Sequence, residues 1–283
     1  MTRPLEIADL ASSTRENAER IGILAGQALV LEVETWPKPG LVSHIDNGAH
    51  SDMDADMLRS SAHALTPWFA ELAAAGAAGA EMDRLRRLGI AAETDMLAAT
   101  KGVNTHRGAI FGMGLLAAAA GFRDSYGIDR PLGAIIAQRW GSAIIDGPVE
   151  LHSHGSLVAR RHGAGGARAE AAAGMPSVHE VAIPALTEGG RLAGSDEEAA
   201  RVHTCMALIA TVEDSNLLYR GGEEGLAFAQ AEARRFLASG SIAAKGWRDR
   251  AQAVHDHFVA RRLSPGGCAD LLAMALFVQS LEP

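Results

Sequence analysis

The chain has 283 residues, 48% of them hydrophobic, enough to bury a substantial core in one large unit. A formal charge of -8 and a pI near 5.8 exclude an extended phosphate backbone as the main partner, so nucleic acid is not expected and an anionic substrate must meet a local cluster of Lys and Arg. The only two cysteines, Cys205 and Cys268, lie far apart and form no CxxC, which excludes a disulfide framework or a zinc ribbon and makes both small core residues.

The first ten residues, "MTRPLEIADL", meet Glu6 and Asp9 before any apolar run develops, so no signal peptide is read and a cytoplasmic location is expected. Ser13 and Glu16 form a capping box, and Ile21, Leu24, Ala28 and Leu31 recur at helical spacing until the helix must stop near Pro37. Further helices are expected over 55–75, 83–100, 107–120 and 132–145. The charge-free run "GAIFGMGLLAAAAGF" from Gly108 is shorter than the roughly 20 residues that span a bilayer, so it reads as a buried helix and no membrane partner is expected. "AELAAAGAAGAE" at 70–81 reads as a helix end and turn. "SVHEVAIPAL" at 177–186 is the one weak alternation, and Val178, Val181 and Ile183 would support a short extended piece before Pro184.

A second capping box, Ser195 with Glu198, introduces the stripe Val202, Cys205, Met206, Ile209 and Val212. Helices over 224–238, 247–262 and 268–281 complete the chain. The fold class is therefore all-α, a single compact bundle of roughly ten helices over residues 1–283.

Polar islands interrupt these helices: "PKPGLVSHIDNGAHSDMD", "GVNTHRGAIF", "HSHGSLVARRHGAGGARAEAAAGMPSV", "EDSNLLYRGG" and "SPGGCADLLA". Each sets a carboxylate, Asn or His beside Gly, most with Arg or Lys as well, next to a helix end, where a rigid scaffold can aim functional loops. Asp52, Asp54 and Asp56 begin like a calcium loop, but Met57 and His63 stand where Gly and a bidentate Glu are required, so an EF-hand is excluded. Either an acidic helix start or a magnesium and phosphate site explains them. His152 and His154 would share a zinc only on non-helical backbone, and His255-Asp256 raises a second reading, a metal-dependent helical nucleotide hydrolase. No GxxxxGK[ST] loop and no GxGxxG after a strand occurs, so bound phosphates would be held by scattered cations and helix N-termini.

In family order, "LEVETWPKPGLV" (31–42), "NGAHSDMD" (47–54), "GVNTHRGAIF" (102–111), "GARAEAAAGMPSV" (166–178), "EDSNLLYRGG" (213–222) and "SPGGCADLLA" (264–273) resemble the triphosphoribosyl-dephospho-CoA synthases over nearly the whole chain. The family often has "LVD" where Leu41-Val42-Ser43 stands and Asp-Thr-Asn where Asp214-Ser215-Asn216 stands, and "LVSHID" is closer to its malonate decarboxylase branch than to its citrate lyase branch.

The resemblance implies transfer of the triphosphoribosyl group of ATP to 3'-dephospho-CoA with loss of adenine, the product passing to a carrier-protein transferase. Homo-oligomerisation is compatible with it. Such chemistry passes through an oxocarbenium-like state and needs a base and negative charge near C1'. Asp52, Asp54, Glu170 and Asp214 are the catalytic candidates. Lys38, His50, Asn104, His106, Arg107, Arg168, Asn216 and Arg220 are the substrate-binding candidates, with His50 and His106 as donors to adenine. Glu32, Asp52 and Asp54 are the candidate ligands of Mg2+ accompanying ATP.

Overall fold

In the computed structural model, which describes residues 3–148, 158 and 165–282, the chain is a stack of α-helices with no strand among the described residues. In order they are α1 (Arg3–Val33), α2 (Ala55–Ala77), α3 (Met82–Ala99), α4 (Arg107–Tyr126), α5 (Leu132–Ile145), α6 (Gly166–Ala172), α7 (Ile183–Ala193), α8 (Glu197–Thr211), α9 (Ser215–Ala238), α10 (Trp247–Ala260) and α11 (Gly266–Leu281). The all-α expectation holds. No helix among the described residues is long and apolar enough to cross a membrane.

The centre is α4, whose residues from Gly112 to Gly121 are buried all round the helix, as its charge-free run requires. It can pack that closely because small residues meet small residues. A Cβ at Gly76 of α2 would fall 1.9 Å from Ala118 O, and one at Gly121 of α4 would fall 2.0 Å from Ala73 O. This reciprocal contact lets the two helix backbones touch, and α1 packs along α2 and reaches α4 as well. The apolar core runs without interruption from Ala18 to Val278, and both cysteines lie in it as free thiols.

Four local expectations are corrected. The Ser13–Glu16 box does not start a helix, because nothing upstream breaks one: α1 already runs from Arg3, and Pro4 falls in the first turn, where its missing N–H costs nothing. The stretch 177–186 is not extended but a π turn (Ser177–Ala182) running into α7. Its buried residues Val178, Ala182, Leu186 and Gly189 follow helical spacing, and Pro184 sits in the first turn of α7. Asp196, not Ser195, caps α8, its carboxylate accepting from Ala199 N at 3.0 Å. Finally, "SNLLYRGG" is the start of α9 rather than a loop, the helix kinking at Gly222 (φ 61°, ψ -162°) and continuing.

Candidate active site

The end of α1 and the segment after it enclose a buried ion pair. Lys38 is completely buried, and its ammonium donates to Glu32, which is 6% exposed and so is not the solvated helix-end carboxylate of an ordinary α1 terminus. Two unpaired charges at such depth would be prohibitive, and together they neutralise each other. The loop is pinned from α10: His255 Nδ1 lies 2.7 Å from Lys38 O and its Nε2 3.2 Å from Asp46 Oδ1. The buried His255 is thus a brace for the Lys38 loop, while Asp256 is exposed and accepts from Gln252.

Asp214 joins two further motifs. It caps α9, its Oδ1 accepting from Asn216 N at 2.7 Å and Leu217 N at 3.1 Å, and its Oδ2 accepts from Cys268 N of α11 at 2.8 Å. One carboxylate therefore satisfies the free N–H groups of two helix starts. The glycines of "SPGG" make this approach possible, since a Cβ at Gly267 would fall 2.9 Å from Asp214 Oδ2. Burial raises the Asp214 carboxyl above its ordinary range despite these hydrogen bonds.

Beside it stands Asp270, one turn into α11, which residue types alone did not single out. Its Oδ2 occupies the space of the missing side chain at Gly108, where a Cβ would fall 2.1 Å away, so it faces the start of α4. It forms no hydrogen bond or ion pair among the described residues. Burial, then the charges of Glu32 and Asp214, push its carboxyl well above the usual carboxylate range. A signal was legible: Asp270 is the lone charge in the apolar helix "CADLLAMALF".

His106 completes the cluster. It is 5% exposed at the start of α4, with Nδ1 2.7 Å from Ser61 Oγ of α2, and Thr105 Oγ1 donates to that same Ser61 oxygen at 2.8 Å. Burial, with the nearby Lys38 charge, lowers His106 to about 4. Cys205 of α8 lines the same region, its thiol pushed up to about 12 by burial and therefore unreactive.

A more open rim borders this core. His50 Nε2 lies 2.8 Å from Ser264 Oγ, and its Nδ1 lies 3.4 Å from both Asp52 Oδ1 and the exposed Arg220 guanidinium. Among the described residues Arg220 otherwise makes only long contacts, 3.4 Å to Ala49 O and 3.3 Å to Arg262 O. Burial and Arg220 lower the pKa of His50. The Asn216 side chain lies against Gly266.

Other expected residues stand apart from this arrangement. Asp54 is an exposed N-cap of α2, accepting from Met57 N at 2.8 Å, and the Asp52 side chain is 61% exposed. Glu32, Asp52 and Asp54 are thus not gathered into one ligand set, because Glu32 is turned inward to Lys38. Among the described residues no three His, Cys, Asp or Glu side chains are placed to hold a metal ion. Arg168 donates to four carbonyls at the end of α5: Ile144, Ile145 at 2.8 Å, Gly147 at 2.9 Å and Pro148 at 2.7 Å. Glu170 accepts from Ser177 N at 2.7 Å and Ser177 Oγ at 3.1 Å, while burial raises its pKa. Asn104 caps the start of α4 through Arg107 N at 3.2 Å, and the Arg107 guanidinium binds Glu93 at 2.7 Å. His152 and His154 lie outside the described residues. The surface hollow between Arg123, Asp129, Arg130 and Glu282 contains none of the motif residues.

A family model described as ATP:dephospho-CoA triphosphoribosyl transferase matches residues 18–283. A Stutzerimonas stutzeri protein named "probable 2-(5''-triphosphoribosyl)-3'-dephosphocoenzyme-A synthase" is 42% identical over 97% of this chain and 96% of its own. Proteins of the same name from Pseudomonas paraeruginosa and Acinetobacter calcoaceticus are 40% identical (97% of this chain, 95% of theirs) and 37% identical (94% and 92%). No solved structure matches the chain.

Proposed function

The chain belongs to the ATP:dephospho-CoA triphosphoribosyl transferase family and is a transferase; from that premise we propose that it moves the 5-triphosphoribosyl group of ATP to the 2'-hydroxyl of 3'-dephospho-CoA and releases adenine. The ribose C1'–N9 bond breaks and its electron pair leaves with the purine. A C1'–O bond forms to the acceptor hydroxyl, whose proton passes to a carboxylate and then to solvent, from which the purine takes one up.

The observation that carries this reading is the unpaired Asp270 carboxylate set beside the Glu32–Lys38 pair, Asp214 and His106. A carboxylate with no hydrogen-bond partner, set against Gly108 at the start of α4, is placed to take the acceptor's proton when ionised. When ionised it also supplies negative charge of the kind that an oxocarbenium-like state requires, Glu32 being neutralised by Lys38. No phosphoanhydride is cut, which suits a chain that has no phosphate loop. Here Arg220 meets the triphosphate at the rim, with His50 and the Asn216 amide beside it. Lys38 acts through Glu32, and Asp214 acts by holding α9 and α11 together. Arg168 and Arg107 serve the scaffold, because their donors are engaged on α5 and Glu93.

Magnesium bound to ATP needs only one or two protein carboxylates. The exposed Asp52 is the one offered at the rim, and the ion would neutralise phosphate charge there. The "LVSHID" segment favours the malonate decarboxylase carrier protein as the final recipient, by way of a separate carrier-protein transferase.

Chromatography of one reaction with ATP, Mg2+ and dephospho-CoA tests the assignment. Adenine and a triphosphoribosylated acceptor are expected. Phosphate or nucleoside diphosphate in their place would return the reaction to the hydrolase class.

A further inference from the structure

Departure of adenine places negative charge on the purine, and the residue roles proposed above for proton transfer, phosphate and scaffold leave that charge unmet, although the resemblance offers His50 and His106 for it. The buried imidazole of His106 is the group in the cluster with an unused polar atom of the right kind. Its Nδ1 is occupied by Ser61 Oγ at 2.7 Å, and Ser61 in turn receives the Thr105 hydroxyl at 2.8 Å. Because Thr105 donates to Ser61, the Ser61 hydrogen is free to point at Nδ1, which makes Nδ1 an acceptor and leaves the ring proton on Nε2. Nε2 has no hydrogen-bond partner among the described residues.

Resting on the transferase reading, we propose that His106 is a catalytic hydrogen-bond donor whose Nε2–H stabilises a ring nitrogen of the departing adenine, with Ser61 and Thr105 as positioning residues that fix its tautomer. The ring donates as a neutral imidazole, which matches its lowered pKa of about 4. A neutral donor stabilises developing negative charge without surrendering its proton, and a fixed one needs no reorganisation when the bond breaks. The purine's final proton comes from solvent, so His106 is unchanged over the cycle. This arrangement bridges the N-terminal ends of α2 and α4, two helices that pack against each other.

The test pairs side chains with purine analogues. In a glutamine side chain the amide nitrogen reaches the Nε2 position, whereas in asparagine it reaches Nδ1. His106→Gln should therefore keep adenine release within about tenfold of wild type, and His106→Asn should lose about 10²-fold or more, the effect of deleting one such donor. With 7-deaza-ATP and 3-deaza-ATP, one analogue should be slower than ATP in the wild type beyond its slower intrinsic reaction, and that excess should vanish in His106→Asn. Ser61→Ala keeps the ring but frees the tautomer, so it should lower kcat about fivefold to tenfold with little change in KM for ATP. Equal losses for Gln and Asn, or deaza penalties identical in wild type and variants, would overturn the proposal. Absence of any adenine from the wild-type enzyme would instead strike the transferase reading itself.

Discussion

Replacing Asp214 by alanine separates a capping role from a chemical one. Two helix starts lose their acceptor at once, because the carboxylate takes Asn216 N and Leu217 N of α9 and Cys268 N of α11. Losing an N-cap costs about 0.5–2 kcal/mol per helix, and a buried N–H left unsatisfied costs about 1–3 kcal/mol. Relief of the raised Asp214 pKa offsets part of this, so a net loss of about 2–4 kcal/mol is expected. At about 2–4 °C per kcal/mol for a chain of this size, the midpoint should fall by about 4–16 °C. Differential scanning calorimetry and urea titration read it directly, and adenine release by the folded fraction should fall as the junction of α9 and α11 loosens. A variant within about 0.5 kcal/mol of wild type that has nonetheless lost turnover would refute the capping account and make Asp214 a group acting on substrate.

Arg168→Ala should cost about 1–3 kcal/mol by uncovering the end of α5 while leaving KM for ATP unchanged, which thermal melts and steady-state kinetics together would check. Arg220→Ala should do the reverse, weakening ATP by about 10- to 100-fold with little change in midpoint, as measured by isothermal titration. The pH profile of stability follows from His106. Its folded pKa of about 4 lies below the unfolded value near 6.5, so its contribution is complete above pH 6.5 and is lost as pH falls toward 4. Denaturant titrations from pH 7 to 4 should show His106→Gln losing up to about 3 kcal/mol less than wild type over that window.

Much of the fold was legible because apolar periodicity and helix breakers act locally. The span 132–145 matches α5, and the charge-free run around Leu115 is the buried centre. Helix starts were harder to place. Ser13 and Ser195 carry the chemistry of a cap, but a cap matters only where the helix begins, and that depends on whether the chain upstream can continue it or offers a better acceptor, as Asp196 does. Within the site, five of the quoted segments come together while "GARAEAAAGMPSV" lies apart, and residue type could not say which donors were already engaged. Arg168 and Arg220 look alike in sequence, yet the first covers carbonyls of α5 and the second stands at the rim. Asp270 was passed over because its meaning arises across the fold, from Gly108 of α4 and from Glu32 and Asp214, residues distant in the chain.

If Asp270 takes the acceptor's proton, Asp270→Asn shows it in a single preparation. Burial and the neighbouring Glu32 and Asp214 disfavour an ionised Asp270, so the neutral amide should leave the midpoint equal to or above that of wild type. Loss of the base should meanwhile lower single-turnover adenine release from ATP and dephospho-CoA by about 10²- to 10⁴-fold. An equal or higher midpoint with collapsed turnover is the predicted result. Near-normal adenine release from the folded variant would contradict the assignment.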